Sequence, residues 1–229
     1  MCDFGFYTRI EGLLGEGTYI PKILFLLREP HEKRAEIFWF KEEVVQVKCD
    51  LNATKKTNRT GTRYYNIFSI LAKHILKTED ASILKKCAYM NLRPDGGERE
   101  RSKEYYQVLA AFAELSFHEK CNPSITLDEI DWSQTETAKK VAQNRMHIIQ
   151  NAIAQKVKYI VTTPDIYEAI RKSVKTTEGK LEEKTYQWER LDKGYNYCQI
   201  EETTILAFPH PSWPRISHED LEILKKVEF

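Results

Sequence analysis

The sequence predicts an α/β fold, a three-layer α/β/α domain around a central four-stranded parallel sheet. Three observations lead there. Short apolar, β-branched runs recur over residues 23–27, 87–90, 157–162 and 203–208. The stretches between them carry apolar residues at helical spacing. No internal repeat or low-complexity linker divides the 229 residues, so one domain over residues 1–229 is expected. Strands that alternate with helices imply right-handed crossovers and parallel neighbours.

The lead-in as far as Ile20 is irregular, with Gly12, Gly15 and Gly17 close together. Pro21-Lys22 then introduces Ile23-Leu24-Phe25-Leu26-Leu27, a continuous apolar run of the kind a parallel sheet covers on both faces. Arg28-Glu29-Pro30-His31-Glu32-Lys33 ends it as a polar loop. An aromatic cluster, Phe38-Trp39-Phe40, follows, and residues 43–47 read as an edge strand or a short helix. Residues 52–63, with Lys55, Lys56, Arg59 and Arg63, read as an exposed basic loop. A helix is expected over 64–76, with Ile67, Ile70, Leu71 and Ile75 sharing a face.

The second strand runs into Asn91-Leu92-Arg93-Pro94. Helices are expected over 101–118, on Tyr105, Val108, Leu109, Phe112 and Leu115, and over 136–155, on Val141, Ile148, Ile149 and Ile153. The third strand turns at Pro164 into a helix beginning at Asp165. Tyr186 and Trp188, then Tyr195 and Tyr197, alternate on either side of Asp192-Lys193-Gly194, a hairpin pattern. The last strand ends in Pro209-His210-Pro211-Ser212-Trp213, and a short helix over 219–226 closes the chain.

Composition narrows the partners. A formal net charge of +1 advertises no global field for nucleic acid or membrane, so a nucleic-acid surface must be a local patch. No apolar run is long enough to span a bilayer. The first residues lack the basic-then-apolar order of a signal peptide. Cys2, Cys49, Cys87, Cys121 and Cys198 form no Cys-x-x-Cys pair, and the histidines have no metal-ligand spacing. The expectation is a cytoplasmic protein with reduced thiols, no metal and no membrane.

In a parallel sheet the loops that follow the strands gather at one edge. Here they carry Arg28-Glu29-Pro30-His31, Asn91-Leu92-Arg93-Pro94, Thr163-Pro164 and His210-Pro211-Ser212. A carboxylate, an amide and an imidazole thus converge from distant segments, at the edge where α/β folds place their chemistry. Pro209 and Pro211 hold His210 on a stiff backbone. The plain readings stand beside these: a proline-rich exit turn for His210-Pro211-Ser212, a loop carboxylate paired with Arg28 for Glu29, and a turn residue for Asn91.

These motifs resemble those of the uracil-DNA glycosylase superfamily, over about residues 23–213. Leu27-Arg28-Glu29-Pro30 corresponds to the family's first motif, Asn91 to its base-reading asparagine, and His210-Pro211-Ser212 to its last motif. Arg93-Pro94 is similar to a stretch of the iron–sulfur branch, at a shorter spacing. The chain departs from the pattern at four places. Leu27 stands where the first motif has glycine, and Glu29 where the best-known branch has aspartate. His31 replaces an aromatic that excludes thymine's methyl group. Trp213-Pro214-Arg215-Ile216 occupies the place of a leucine wedge. The iron–sulfur cysteines are missing, so no cluster or other cofactor is expected.

The resemblance implies a hydrolase for base-excision DNA repair, acting as a monomer on uracil or a related deaminated base. Cleaving a base–sugar bond leaves positive charge on the sugar and negative charge on the base. Glu29 is the candidate carboxylate that stabilises the sugar and orients water, and His210 the candidate donor to the departing base. Asn91 suits the pairing edge of uracil. Pro30 and His31 border the base, and Phe40, by its spacing from Pro30, is the stacking candidate ahead of Phe38 and Trp39. Arg28, Arg93, Pro211, Ser212 and Trp213 are candidates for nucleic-acid contact. Because a glutamate is one methylene longer than aspartate, the alternative is a catalytically weak or inactive nucleic-acid- or nucleotide-binding member of the same fold. An unrelated α/β protein acting on a small nucleotide or sugar is a third reading.

Overall fold

A computed structural model describes residues 21–28, 60–80, 83, 87–94, 102–121, 125, 130–175, 189–190 and 196–209. The elements are β1 (Ile23–Leu27), α1 (Thr60–Leu76), β2 (Cys87–Asn91), α2 (Lys103–Glu114), α3 (Thr137–Ala154), β3 (Tyr159–Thr162), α4 (Pro164–Lys175), β4 (Glu189–Arg190), β5 (Asn196–Ile200) and β6 (Thr203–Ala207). They make a mixed α/β structure around one mostly parallel sheet, in the order β2-β1-β3-β6-β5-β4.

The first four strands in that order are parallel neighbours, and they are the four apolar runs of the sequence. Every residue of β1 is at most 4% exposed, which is why it reads as a continuous apolar run and not as an alternation. The sheet then continues through two antiparallel pairs, β6 with β5 and β5 with β4. Glu189 pairs with Tyr197 and Arg190 with Asn196, so the expected hairpin is present, and β5 extends the sheet beyond four strands.

Side-chain alternation along β1 divides the core. Leu24 and Leu26 join Ala88, Met90, Ile160, Ile205 and Ala207 in a cluster with Tyr105, Val108 and Phe112 of α2, Val141, Ile148 and Ile149 of α3, and Ile166 and Ile170 of α4. Phe25, between them in sequence, packs on Phe68 of α1 with ring centroids 4.4 Å apart. Helix α1 begins at Thr60, so residues 60–63 are helical where an exposed loop was expected. Hydrophobic periodicity cannot register a first turn that has no apolar residue. Helix α2 is shorter than residues 101–118: Ser102 caps its start by accepting from the Tyr105 N–H at 3.0 Å, and Leu115 is extended.

Helices α1 and α3 end alike. Lys77 N–H bonds to the His74 carbonyl and Thr78 N–H to that of Lys73; Lys156 N–H bonds to Ile153 and Val157 N–H to Ala152. These are Schellman closures, whose left-handed residue is usually glycine. Here lysine occupies it twice, with φ of 50° at Lys77 and 61° at Lys156. A side chain in that conformation costs on the order of 1 kcal/mol.

Among the described residues no helix is long and apolar enough to cross a membrane, and no cluster of three or more His, Cys, Asp or Glu could hold a metal ion. Cys87, Cys121 and Cys198 are buried free thiols. Burial pushes all three up from their usual range, helped at Cys121 by Glu119 and opposed at Cys198 by the Tyr167 hydroxyl, so none is poised as a thiolate. The aromatic cluster at Phe38-Trp39-Phe40, the 43–47 segment and the 219–226 helix lie outside the described residues.

Candidate functional site

The four parallel strands run the same way, so their C-terminal ends line one edge of the sheet. Register fixes the order along it. Leu27 pairs with Asn91, Leu26 with Thr162, and Thr162 with Ala207. Strand β3 therefore stands between β1 and β6, whose ends are about 10 Å apart at the usual strand spacing. From β1 the chain proceeds to β2 on one flank and later to β3 on the other, so the order switches between β1 and β3. Such a switch opens the crevice where open α/β sheets take ligands.

The backbone ladder continues past the strand ends at this edge. Leu92 N–H donates to the Leu27 carbonyl at 2.7 Å, Arg93 N–H to Arg28 at 2.9 Å, and Phe208 N–H to Thr162 at 2.7 Å. The β1 and β2 exits are thereby held side by side, and with them Arg28 and Arg93. Asn91, last residue of β2, is 4% exposed.

At the switch between β1 and β3 stands a polar cluster centred on Asp165. The Arg28 guanidinium reaches both carboxylate oxygens, with Nε at 3.0 and 3.2 Å and Nη2 at 3.1 Å. The Tyr105 hydroxyl donates at 2.9 Å and the Thr163 hydroxyl at 2.6 Å. Local sequence sets this up. The Thr163 carbonyl accepts the first α4 bond from Tyr167, Pro164 opens the helix with its preset φ, and Asp165 sits in the first turn, where the helix dipole favours a negative charge. Burial works against the charged carboxyl, but the Thr163 hydroxyl, the Arg28 charge and the Tyr105 hydroxyl outweigh it and hold Asp165 below the usual aspartate range. With that charge and those partners, Asp165 serves as an anchor for the β1 exit and not as a proton acceptor.

The β2 exit has its own anchors. Arg93 donates through Nη1 to the Ser102 hydroxyl and, at 3.5 Å, to Glu104 Oε2, with its guanidinium 5.0 Å from the Trp132 ring centre. It is only 6% exposed, so this guanidinium serves the protein's own loops. From below, Arg145 of α3, fully buried, donates from Nε to the Leu92 carbonyl at 3.3 Å and from Nη1 to the Asn144 side-chain oxygen at 2.7 Å.

Of the residues singled out from the sequence, the structure brings Arg28, Asn91 and Arg93 to this edge. Glu29, Pro30, His31, Phe40, His210, Pro211, Ser212 and Trp213 lie outside the described residues. The sequence places Thr163-Pro164 at this edge without a role, and it does not mark Asp165, Tyr105 or Arg145 as site residues. Thr163-Pro164-Asp165 has the grammar of a helix start, which accounts for Asp165 without a site. Arg145 had a usable signal: at four residues from Val141 and from Ile149, it falls on the apolar face of α3.

No protein-family model, no curated protein and no solved structure matches the chain.

Proposed function

We propose that the protein is a DNA glycosylase of the uracil-DNA glycosylase type, with a three-layer α/β/α fold, hydrolysing the bond between deoxyribose and uracil or a related deaminated base. The observation that supports it most is the shared edge. Strands β1, β2 and β6, which lead in sequence into Glu29, Asn91 and His210, are parallel and end on the same side of the sheet. With no matching relative, the reading rests on the chain's own motifs and this topology.

In this reading the base leaves the stack and enters a pocket beyond the strand ends. Phe40 stacks on it, Asn91 reads its pairing edge, and Pro30 and His31 border it. Glu29 stabilises the positive charge that builds on the sugar and orients the attacking water. His210 donates to the base oxygen as negative charge builds there. The electron pair of the broken bond leaves with the base, the water oxygen joins the sugar, and the water proton passes to solvent. No cofactor is needed. Ser212, Pro211 and Trp213 contact the strand. The Asp165 and Arg145 anchors hold the β1 and β2 exits before substrate arrives, which matters because a misplacement near 1 Å can cost on the order of 100-fold in rate. A cytoplasmic monomer belongs to the same proposal.

The test is an oligonucleotide carrying one uracil, xanthine or hypoxanthine, scored for abasic sites by alkaline cleavage. Wild-type protein is expected to cut at one of the three, and Glu29→Ala and His210→Ala each to slow it at least about 100-fold. Activity unchanged in both variants rejects the residue roles. The glutamate in place of aspartate supports a second reading, a binding protein without efficient hydrolysis. Tight binding of the modified strand with no product would select it.

A further inference from the structure

The opposite, N-terminal edge of the sheet carries a feature that the proposed chemistry does not use. A depression of about 850 Å³ lies there, lined by Lys22, Lys77, Lys156 and Lys158 and by one carboxylate, Glu202, over a floor that includes Ile75 and Tyr159. The four lysines come from four places: the residue before β1, the ends of α1 and α3, and the residue before β3. All four are exposed. Lys156 pairs with Glu202 at 2.9 Å, and Lys158 lies 5.2 Å from the Tyr159 ring centre. Among the described residues no carboxylate pairs with Lys22, Lys77 or Lys158.

Two details set this apart from an ordinary solvated rim. Lys22 and Lys158 each precede a paired position, Ile23 and Tyr159, so they neighbour each other on adjacent parallel strands, an arrangement that like charges disfavour. Lys77 and Lys156 fill left-handed helix ends where glycine would be easier. Lysine near a helix C-terminus is favoured by the dipole, which accounts for Lys77 and Lys156 but not for Lys22 and Lys158. Positive charge thus gathers around one depression, at Lys22 and Lys158 against local charge preference, on a chain whose net charge is only +1.

We propose that this groove binds the phosphate backbone of a nucleic-acid strand, at a surface separate from the candidate base pocket. The cation type favours phosphates over an acidic protein segment. Carboxylates are matched best by the planar fork of arginine, whereas lysine is a point charge that follows a flexible backbone at many angles. No arginine lines the groove among the described residues.

The test uses a fluorescein-labelled, uracil-free single-stranded 20-mer, so the result does not depend on base excision. Affinity is measured from 50 to 300 mM salt for wild type, for the triple variant Lys22→Ser, Lys77→Gly, Lys158→Ser, and for Lys77→Gly alone. Each lysine lost from a phosphate contact lowers the slope of log affinity against log salt by about 0.7. The triple variant is expected to lose about 2 from that slope and at least 10-fold in affinity at the lowest salt. Lys77→Gly, which relaxes a helix end, is expected to lose about 0.7 and so reads out the groove even if the triple variant misfolds. An unchanged slope in Lys77→Gly together with an unchanged or unfolded triple variant overturns the proposal. Tighter, lysine-dependent binding of a polyglutamate peptide than of the 20-mer overturns it too.

Discussion

At the C-terminal edge of the sheet three of the described cations are arginines that protein holds: Arg28 by Asp165, Arg93 by Ser102 and Glu104, Arg145 by the Leu92 carbonyl and Asn144. At the N-terminal edge they are lysines, all exposed, and of the four only Lys156 meets a carboxylate among the described residues. A guanidinium is planar and loses little on being locked into a fork of acceptors. An ammonium on four methylenes stays mobile and well hydrated. One edge is therefore built to be rigid before any ligand arrives, and the other is built to offer charge to something outside the chain. Removing a cation should cost stability at the first edge and cost affinity, with little or no stability, at the second.

The largest effect is expected at Arg145. Truncating it to alanine opens a cavity in the core and removes a donor from the buried Leu92 carbonyl, a loss of about 3 kcal/mol. Urea unfolding at neutral pH measures it through the midpoint at constant slope. A loss below about 1 kcal/mol would break the contrast, because Arg145 would then be a tolerated charge and not an anchor. At the second anchor, Asp165→Asn leaves the partly buried Arg28 without its counter-charge and should cost about 2 kcal/mol.

Asp165 also carries a pH signature. Its folded carboxyl titrates below the ordinary value of about 3.9. The folded state thus binds this proton less readily than the unfolded chain, so the stabilisation is complete above the unfolded value and is lost as pH falls through the lower folded one. Unfolding free energy measured at pH 7 and again near pH 3 should show a smaller drop in Asp165→Asn than in wild type. An equal drop would mean that Arg28 and Tyr105 do not favour the charged carboxylate.

Whether a residue could be read from the sequence depended on how far away its reasons lay. The four parallel strands were legible because burial on both faces writes itself as an unbroken apolar run, as in Ile23–Leu27. Parallel pairing puts the strand ends at one edge, with Asn91 in register with Leu27, while Glu29 and His210, expected to meet there, lie outside the described residues. Strand β5 joins β6 through a turn at Glu201 and Glu202, and Glu201 takes φ of 52°. Two glutamates do not announce a hairpin as Asn-Gly would, so the sequence gives no sign of that pairing. The Asp165 cluster was out of reach for another reason. Its partners Tyr105 and Arg28 stand 60 and 137 residues away, and no spacing rule spans such distances. Arg145 was masked by its charge, which reads as solvent-facing until the helical period puts it in line with Val141 and Ile149.

The smallest effect has the opposite sign, and it tests the lysine edge on its own terms. In Lys77→Gly, Lys156→Gly the two left-handed helix ends take the residue that fits them without a side-chain clash, a relief on the order of 1 kcal/mol at each. Part of it is offset because glycine gives the unfolded chain more freedom, about 0.5 kcal/mol or more per site, and because each lysine's favourable interaction with the helix dipole is lost, about 0.3 kcal/mol per site. The Lys156–Glu202 pair is also lost, but both side chains are 69% exposed, and such pairs contribute little. The net expectation is a gain of up to about 0.5 kcal/mol, a rise of roughly 1–2 °C in melting temperature for a chain of this size. Differential scanning calorimetry at two ionic strengths reads it. A higher melting temperature together with weaker binding of the 20-mer would mean that these lysines are kept for what they contact, at the expense of the fold. A variant that melts several degrees lower would mean that they hold the helix ends in place, and the two edges would then differ only in which cation does the same structural work.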